Sequence, residues 1–166
     1  SRARYDLIFS EPSNPYRAGV ASLFTQEFYR AVAARLNPEG VFVQWVQGYE
    51  IPPRSLHSIY ATLGTVLPAV ETWQVALGGD LLLVAARRPR AHDLAVLQAR
   101  VAQEPYRSAL ALVWGVSGVE GLYAGFVGTT GLAEEMRHDA DARVNTDDHT
   151  PLEYEFARSL GIDIPL

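Results

Sequence analysis

The sequence predicts an α/β fold, with a mostly parallel sheet, an antiparallel last strand and an α-helical C-terminal extension. Three observations predict it. Short apolar runs alternate with helix-period segments through the first half of the chain. Two of those runs are joined by a glycine turn, and beyond Pro89 the pattern turns helical.

Each element has its own signal. Tyr5–Ser10 is a short apolar run closed by Glu11-Pro12, as a buried strand requires. Leu23–Leu36 places Leu23, Phe24, Phe28, Val32 and Leu36 at helical spacing, and Asn37-Pro38-Glu39-Gly40 stops the helix. Gly40–Gln47 is rich in β-formers. Pro53 opens a second helix carrying Leu56, Ile59, Tyr60, Leu63 and Leu67, closed by Pro68. Strands follow at Val70–Val75 and Leu81–Ala86, with Gly78-Gly79-Asp80 as the hairpin turn. The extension predicts an amphipathic helix over Ala91–Gln103, with Leu94, Leu97 and Val101 on one face, then helices over Pro105–Val113, Val119–Phe126 and Leu132–His138. This divides the chain into 1–88, which carries four strands, and a helical extension, 89–166, packed on the same domain.

Composition narrows the function classes. The 166 residues are 48% hydrophobic and 20% charged, which is ordinary globular usage. No apolar run approaches the ~20 residues of a membrane span. Ser1-Arg2-Ala3-Arg4 lacks the apolar core of a signal peptide, and the chain does not begin with Met, so its start is expected to be a boundary made by processing or cloning. The absence of cysteine excludes disulfides, thiol nucleophiles and cysteine-bound metal, and fits a cytoplasmic location. A net charge of −5 argues against nucleic-acid binding, and the cluster Arg87, Arg88, Arg90 reads as a solvated turn after a strand.

The run Tyr5-Asp6-Leu7-Ile8-Phe9-Ser10-Glu11-Pro12-Ser13-Asn14-Pro15 resembles the fourth-strand signature of spermidine synthases, in which a D-x-x-D-P loop follows a Y-D-x-I-type strand. Leu23-Phe24, Phe28-Tyr29, Leu36, Gly40-Val41 and Gln44 continue the resemblance. The E-P-S-N-P loop and the late N-T-D-D-x-x-P-L-E-Y run are similar to a bacterial spermidine synthase-like branch, some members of which are fused to membrane-transporter-like segments.

This resemblance implies the C-terminal half of a Rossmann-like, S-adenosylmethionine-dependent methyltransferase-type sheet. It implies aminopropyl transfer from decarboxylated S-adenosylmethionine to a small-molecule amine, a step of polyamine biosynthesis. Glu11 falls on the first family aspartate, as the catalytic base and with Pro12 as a cofactor contact. Asn14 falls on the second, where it can hydrogen-bond but not take a proton. A third family carboxylate, after the glutamine of the next strand, is Val46 here. Gln44, Gln47 and Tyr49 are the remaining candidate substrate contacts. The family's glycine-rich cofactor turn does not precede Tyr5, and Gly78-Gly79 links two strands rather than opening a helix. Neither decarboxylated S-adenosylmethionine nor S-adenosylmethionine is therefore expected to bind this segment alone. The resemblance also leaves room for the soluble domain of a longer membrane-fused protein.

Other readings remain open. A methyltransferase shares the scaffold and tolerates loss of the acidic residues better. A non-catalytic interaction or dimerisation module is the third reading. Asn14-Pro15 also suits a plain turn, and its N-P-Y string is a shifted, one-proline version of an amino-methyltransferase loop. Asp147-Asp148-His149 is poor ligand geometry, with Thr146-Asp147 suited to capping, so no metal is expected. His57, His92 and His138 read as packing or surface residues, and Trp45, Trp73 and Trp114 as core. If half a domain is missing, the Tyr5–Ser10 edge and the faces of Phe24, Phe28 and Val32 should lie open. A homo-oligomer, the missing N-terminal half or the extension itself is then expected to cover them.

Overall fold

The computed structural model describes residues 3–12, 19–48, 51–75 and 79–154. Five strands form one sheet in the order β1-β2-β4-β3-β5. The strands are β1 (Tyr5–Ser10), β2 (Leu36–Val46), β3 (Ala69–Val75), β4 (Asp80–Ala86) and β5 (Phe126–Gly128). The helices are α1 (Gln26–Arg35), α2 (Pro53–Gly64), α3 (Leu94–Val101), α4 (Tyr106–Ala109), α5 (Gly118–Tyr123) and α6 (Thr130–Arg137). A 3-10 turn over Val20–Phe24 precedes α1, and a π-helical stretch over Leu110–Trp114 follows α4.

The α/β class stands, and the sheet is mixed. β1 and β2 are parallel, while β4 runs antiparallel to both β2 and β3. Three strands thus point one way, with β4 inserted between β2 and β3, an arrangement consistent with a Rossmann-like fold. β5 was not expected. The helix read over Val119–Phe126 stops at Tyr123, and Phe126–Gly128 pairs antiparallel with β3. Three residues carry too little pattern to signal a strand, so pairing with β3 makes one of them.

α1 begins at Thr25, whose hydroxyl accepts from the Phe28 amide, and α2 begins with Pro53 in its first turn. Both helices pack on one sheet face. Tyr29 lies 5.8 Å from Phe42 and Phe28 lies 6.2 Å from it, centroid to centroid, and the Tyr60 hydroxyl meets Thr72 Oγ1 at 2.6 Å. Burial pushes the Tyr29 phenol well above its ordinary pKa, and the same cause, partly offset by Thr72, raises that of Tyr60. Phe24 and Val32 are buried here and Phe28 packs against the core, so the open helix faces expected of a half-domain are not found. The sheet supplies their cover.

Arg87 does more than decorate a turn. Its guanidinium donates to the carbonyls of Ala33 (2.5 Å) and Asn37 (2.9 Å), serving the last turn of α1 where unpaired carbonyls collect. Arg88 pairs with Glu39 at 2.9 Å, and Arg90 donates to the Glu39 carbonyl.

The extension departs most from its pattern. Val101 is buried, but Leu94 is exposed, and Leu112, Val113 and Trp114 are exposed rather than core. Helical spacing marks a stripe, and burial needs a surface to receive it. The tail is better anchored. Asn145 is fully buried: its amide N–H donates to Thr62 Oγ1 (2.9 Å), its Nδ2 to the Ala21 carbonyl (3.2 Å), and its own carbonyl accepts from the Gln26 amide (2.9 Å). Thr146 Oγ1 accepts from the His149 amide, so the Asp147-Asp148 segment is a capped turn. Among the described residues, no helix is long and apolar enough to cross a membrane.

β1 lies at the sheet edge, with Tyr5, Leu7 and Phe9 each about half exposed. Among the described residues, the extension adds its strand at the opposite edge instead. Two outcomes are expected. Asn145→Ala should lower stability by about 1–3 kcal/mol, read as a lower urea midpoint, because the Ala21 carbonyl loses its donor. Light scattering of the chain should show concentration-dependent association that Leu7→Lys reduces, since a charge on an edge blocks further pairing.

Candidate functional site

The parallel β1–β2 pair positions the candidate site. Ser10 stands opposite Gln44 in the register, so both strands deliver their C-terminal ends to one place. In open α/β sheets this is the end at which ligands bind. Glu11 follows β1 directly and is exposed, while Pro12 beside it is buried. Gln47 is one residue past β2 and only 4% exposed. Asn14 and Tyr49 lie outside the described residues.

Gln44 is fully buried on the helix-covered face. Its Nε2 lies 3.3 Å from the Trp45 carbonyl and 3.5 Å from Ser10 Oγ. A carbonyl only accepts, so this contact orients the carboxamide with nitrogen toward Trp45. Oε1 is left without a hydrogen-bond partner among the described residues. An unsatisfied buried carbonyl costs roughly 1–3 kcal/mol, which makes it a place for a donor. Of the candidates described, Glu11 alone is exposed; the two glutamines form the buried base of the strand end.

Gly48 shows how tightly this end is built. A Cβ there would overlap the Gly79 carbonyl, and Gly79 itself has φ 84° in the β3–β4 turn. Gly79 thus belongs to a hairpin turn against which the chain leaving β2 is pressed.

A second feature escaped the sequence reading. At the other end of the sheet, a cavity of about 350 Å³ lies between the sheet and the 88–93 segment. Glu71 faces it from β3 and pairs with His92 at 2.8 Å, and the His92 ring stands edge-on to Tyr123 at 6.0 Å. His92 is therefore a tether. The signal available was Glu71 itself, a carboxylate set among the β-formers of a strand. Its partner is 21 residues away and invisible to local pattern. Similarly, His57 bridges to Asp139 at 3.3 Å. The Asp139 carboxyl is held below its ordinary pKa by the Asp141 amide first and by His57 second.

The fold and this strand-end arrangement define a Rossmann-like α/β protein with its candidate site at the C-terminal ends of parallel strands. Comparison with known proteins takes the assignment further. The chain is 34% identical over 131 residues to a polyamine aminopropyltransferase of Synechococcus sp. (strain JA-2-3B'a(2-13)), covering 72% of this chain and 41% of that protein. It is 40% identical over 93 residues to a polyamine aminopropyltransferase of Synechococcus sp. (strain JA-3-3Ab), covering 51% and 29%. No protein-family model matches. The matched part of the chain belongs to the spermidine synthase-like, or polyamine aminopropyltransferase, family. The chain spans less than half the length of these relatives.

Gly48→Ala should destabilise the protein by about 1–3 kcal/mol through overpacking against the hairpin tip. Thermal or urea unfolding checks this, and an unchanged midpoint would mean that the two glycines do not meet.

Proposed function

We propose that this chain is part of an aminopropyltransferase that moves the aminopropyl group of decarboxylated S-adenosylmethionine to a small amine. The observation that carries the proposal is the register of β1 on β2, which sets Glu11 and the two glutamines at one strand end in a chain related to polyamine aminopropyltransferases. The amine must be neutral to attack. Its lone pair forms a bond to the carbon next to the sulfonium, the carbon–sulfur bond breaks to release the thioether, and the amine's proton goes to a base. Glu11, exposed at the strand end, is the carboxylate suited to take it. Asn14, three residues further along the sequence, adds a neutral hydrogen-bonding group.

The residues present fit one wall of such a site. Glu11 and Pro12 can meet the donor, and the orphan oxygen of Gln44 suits an N–H group. A glycine-rich turn to hold the nucleotide is no part of this chain's sequence. The half-exposed edge of β1 favours one further reading, a module whose role is to pair with another chain.

The test uses the full-length gene product, with decarboxylated S-adenosylmethionine and putrescine, and detects the product by mass spectrometry. Aminopropylated amine is expected. Glu11→Gln should lower turnover by roughly 10²–10⁴-fold, the usual worth of a general base, while Asn14→Asp should raise turnover of the diamine by restoring a second negative charge. Methylated product would point to a methyltransferase. No product, together with unchanged self-association, would favour the pairing module.

A further inference from the structure

The cavity at the far end of the sheet is separate from the strand end that carries Glu11 and Gln44. Val41 starts the parallel run of β2 there, Ala69 starts β3, and Val84 and Ala86 end β4. These four small apolar side chains line the cavity, and Val96 and Leu97 of α3 line it too. Its volume, about 350 Å³, is that of small-ligand sites, which run from about 300 to 1,000 Å³.

The charges around the cavity settle what it would take. Glu71 has a side chain 18% exposed, and among the described residues its bond is to His92 through Oε1. Oε2 is left as an acceptor. Asp93 adds a second carboxylate at the rim, where it caps α3 by accepting from the Val96 amide at 3.1 Å. Arg88 and Arg90 also line the cavity, but both are held by Glu39, one through its carboxylate and one through its carbonyl, at 2.9 Å each. Two carboxylates, Glu71 and Asp93, therefore line the cavity, and its two guanidiniums are turned to Glu39. A ligand anion would meet Glu71 and Asp93. A cation with an aliphatic stem meets an acceptor at one end and small apolar side chains along its length.

We infer that this cavity is a second binding site, for a small protonated alkylamine anchored by Glu71. The ammonium sits at Glu71 Oε2, and the alkyl chain lies over Val41, Val84 and Ala86. This site does not depend on the transferase reading of the other strand end.

The test is a titration of the chain with 1-aminobutane hydrochloride, followed by the NMR signals of the Val84 methyls and the His92 ring. Saturable shifts are expected in the wild type and in Glu11→Gln, which leaves the far end untouched. Glu71→Gln should weaken binding by about tenfold or more, as loss of a charged hydrogen bond does. Butan-1-ol and butyrate, equal in chain length, should bind the unaltered protein at least about tenfold more weakly. That comparison holds even where Glu71→Gln fails to fold. Val84→Phe, which fills the cavity, should abolish the shift of the His92 ring. Unmoved wild-type signals, equal binding of the alcohol, undiminished binding by a folded Glu71→Gln, or loss of binding in Glu11→Gln would each overturn the inference.

Discussion

The parallel pairing of β1 with β2 is the constraint on which the rest of the structure depends. A parallel pair cannot be closed by a hairpin, so the chain must cross back over the sheet, and the 3-10 turn with α1 makes that crossing. The same crossing brings Tyr29 down onto Phe42 and buries Phe24 and Val32 in the same core. The register matters as much as the direction. With Ser10 opposite Gln44, the alternating residues Phe42, Gln44 and Val46 face the helices. A slip of one residue would turn Gln44 outward and drive Trp45 into the core.

Two long-range anchors keep this arrangement in place. Arg87 leaves the end of β4 and binds the carbonyls at the α1–β2 junction, so the hairpin strand that flanks β2 also fixes where β2 begins. Asn145 returns from the far end of the chain to join α2, the 3-10 turn and the first amide of α1. The Arg87 guanidinium and the Asn145 carboxamide both donate to backbone carbonyls, while the Asn145 backbone itself bonds Thr62 Oγ1 and the Gln26 amide.

Much of the first half was legible in the sequence because its patterns are local. β1, β2, α2 and the β3–β4 hairpin each combine apolar periodicity with a start or stop signal, Glu11-Pro12, Pro53 or Gly79 among them. The site was partly legible for another reason. The loop after β1 carries a family resemblance, and the comparisons bear out that family, but Asn14 and Tyr49 fall outside the described residues. What the pattern missed depended on distant partners. Phe126 becomes a strand residue only by pairing with Trp73. Leu94 and Trp114 keep helical spacing but meet no surface that covers them. Glu71 and His92, and Asn145 and Thr62, find each other across the fold, and nothing in a local window announces either pair.

The central claim is that ligand chemistry belongs to the C-terminal strand end set by the β1–β2 register. Hydrogen exchange on the full-length gene product, with and without decarboxylated S-adenosylmethionine and putrescine, tests it most directly. The account predicts new protection, within this chain, at residues 10–12 and 44–48. Protection absent from those segments, with unchanged exchange at Ser10 and Gln47 under saturating ligand, would contradict it.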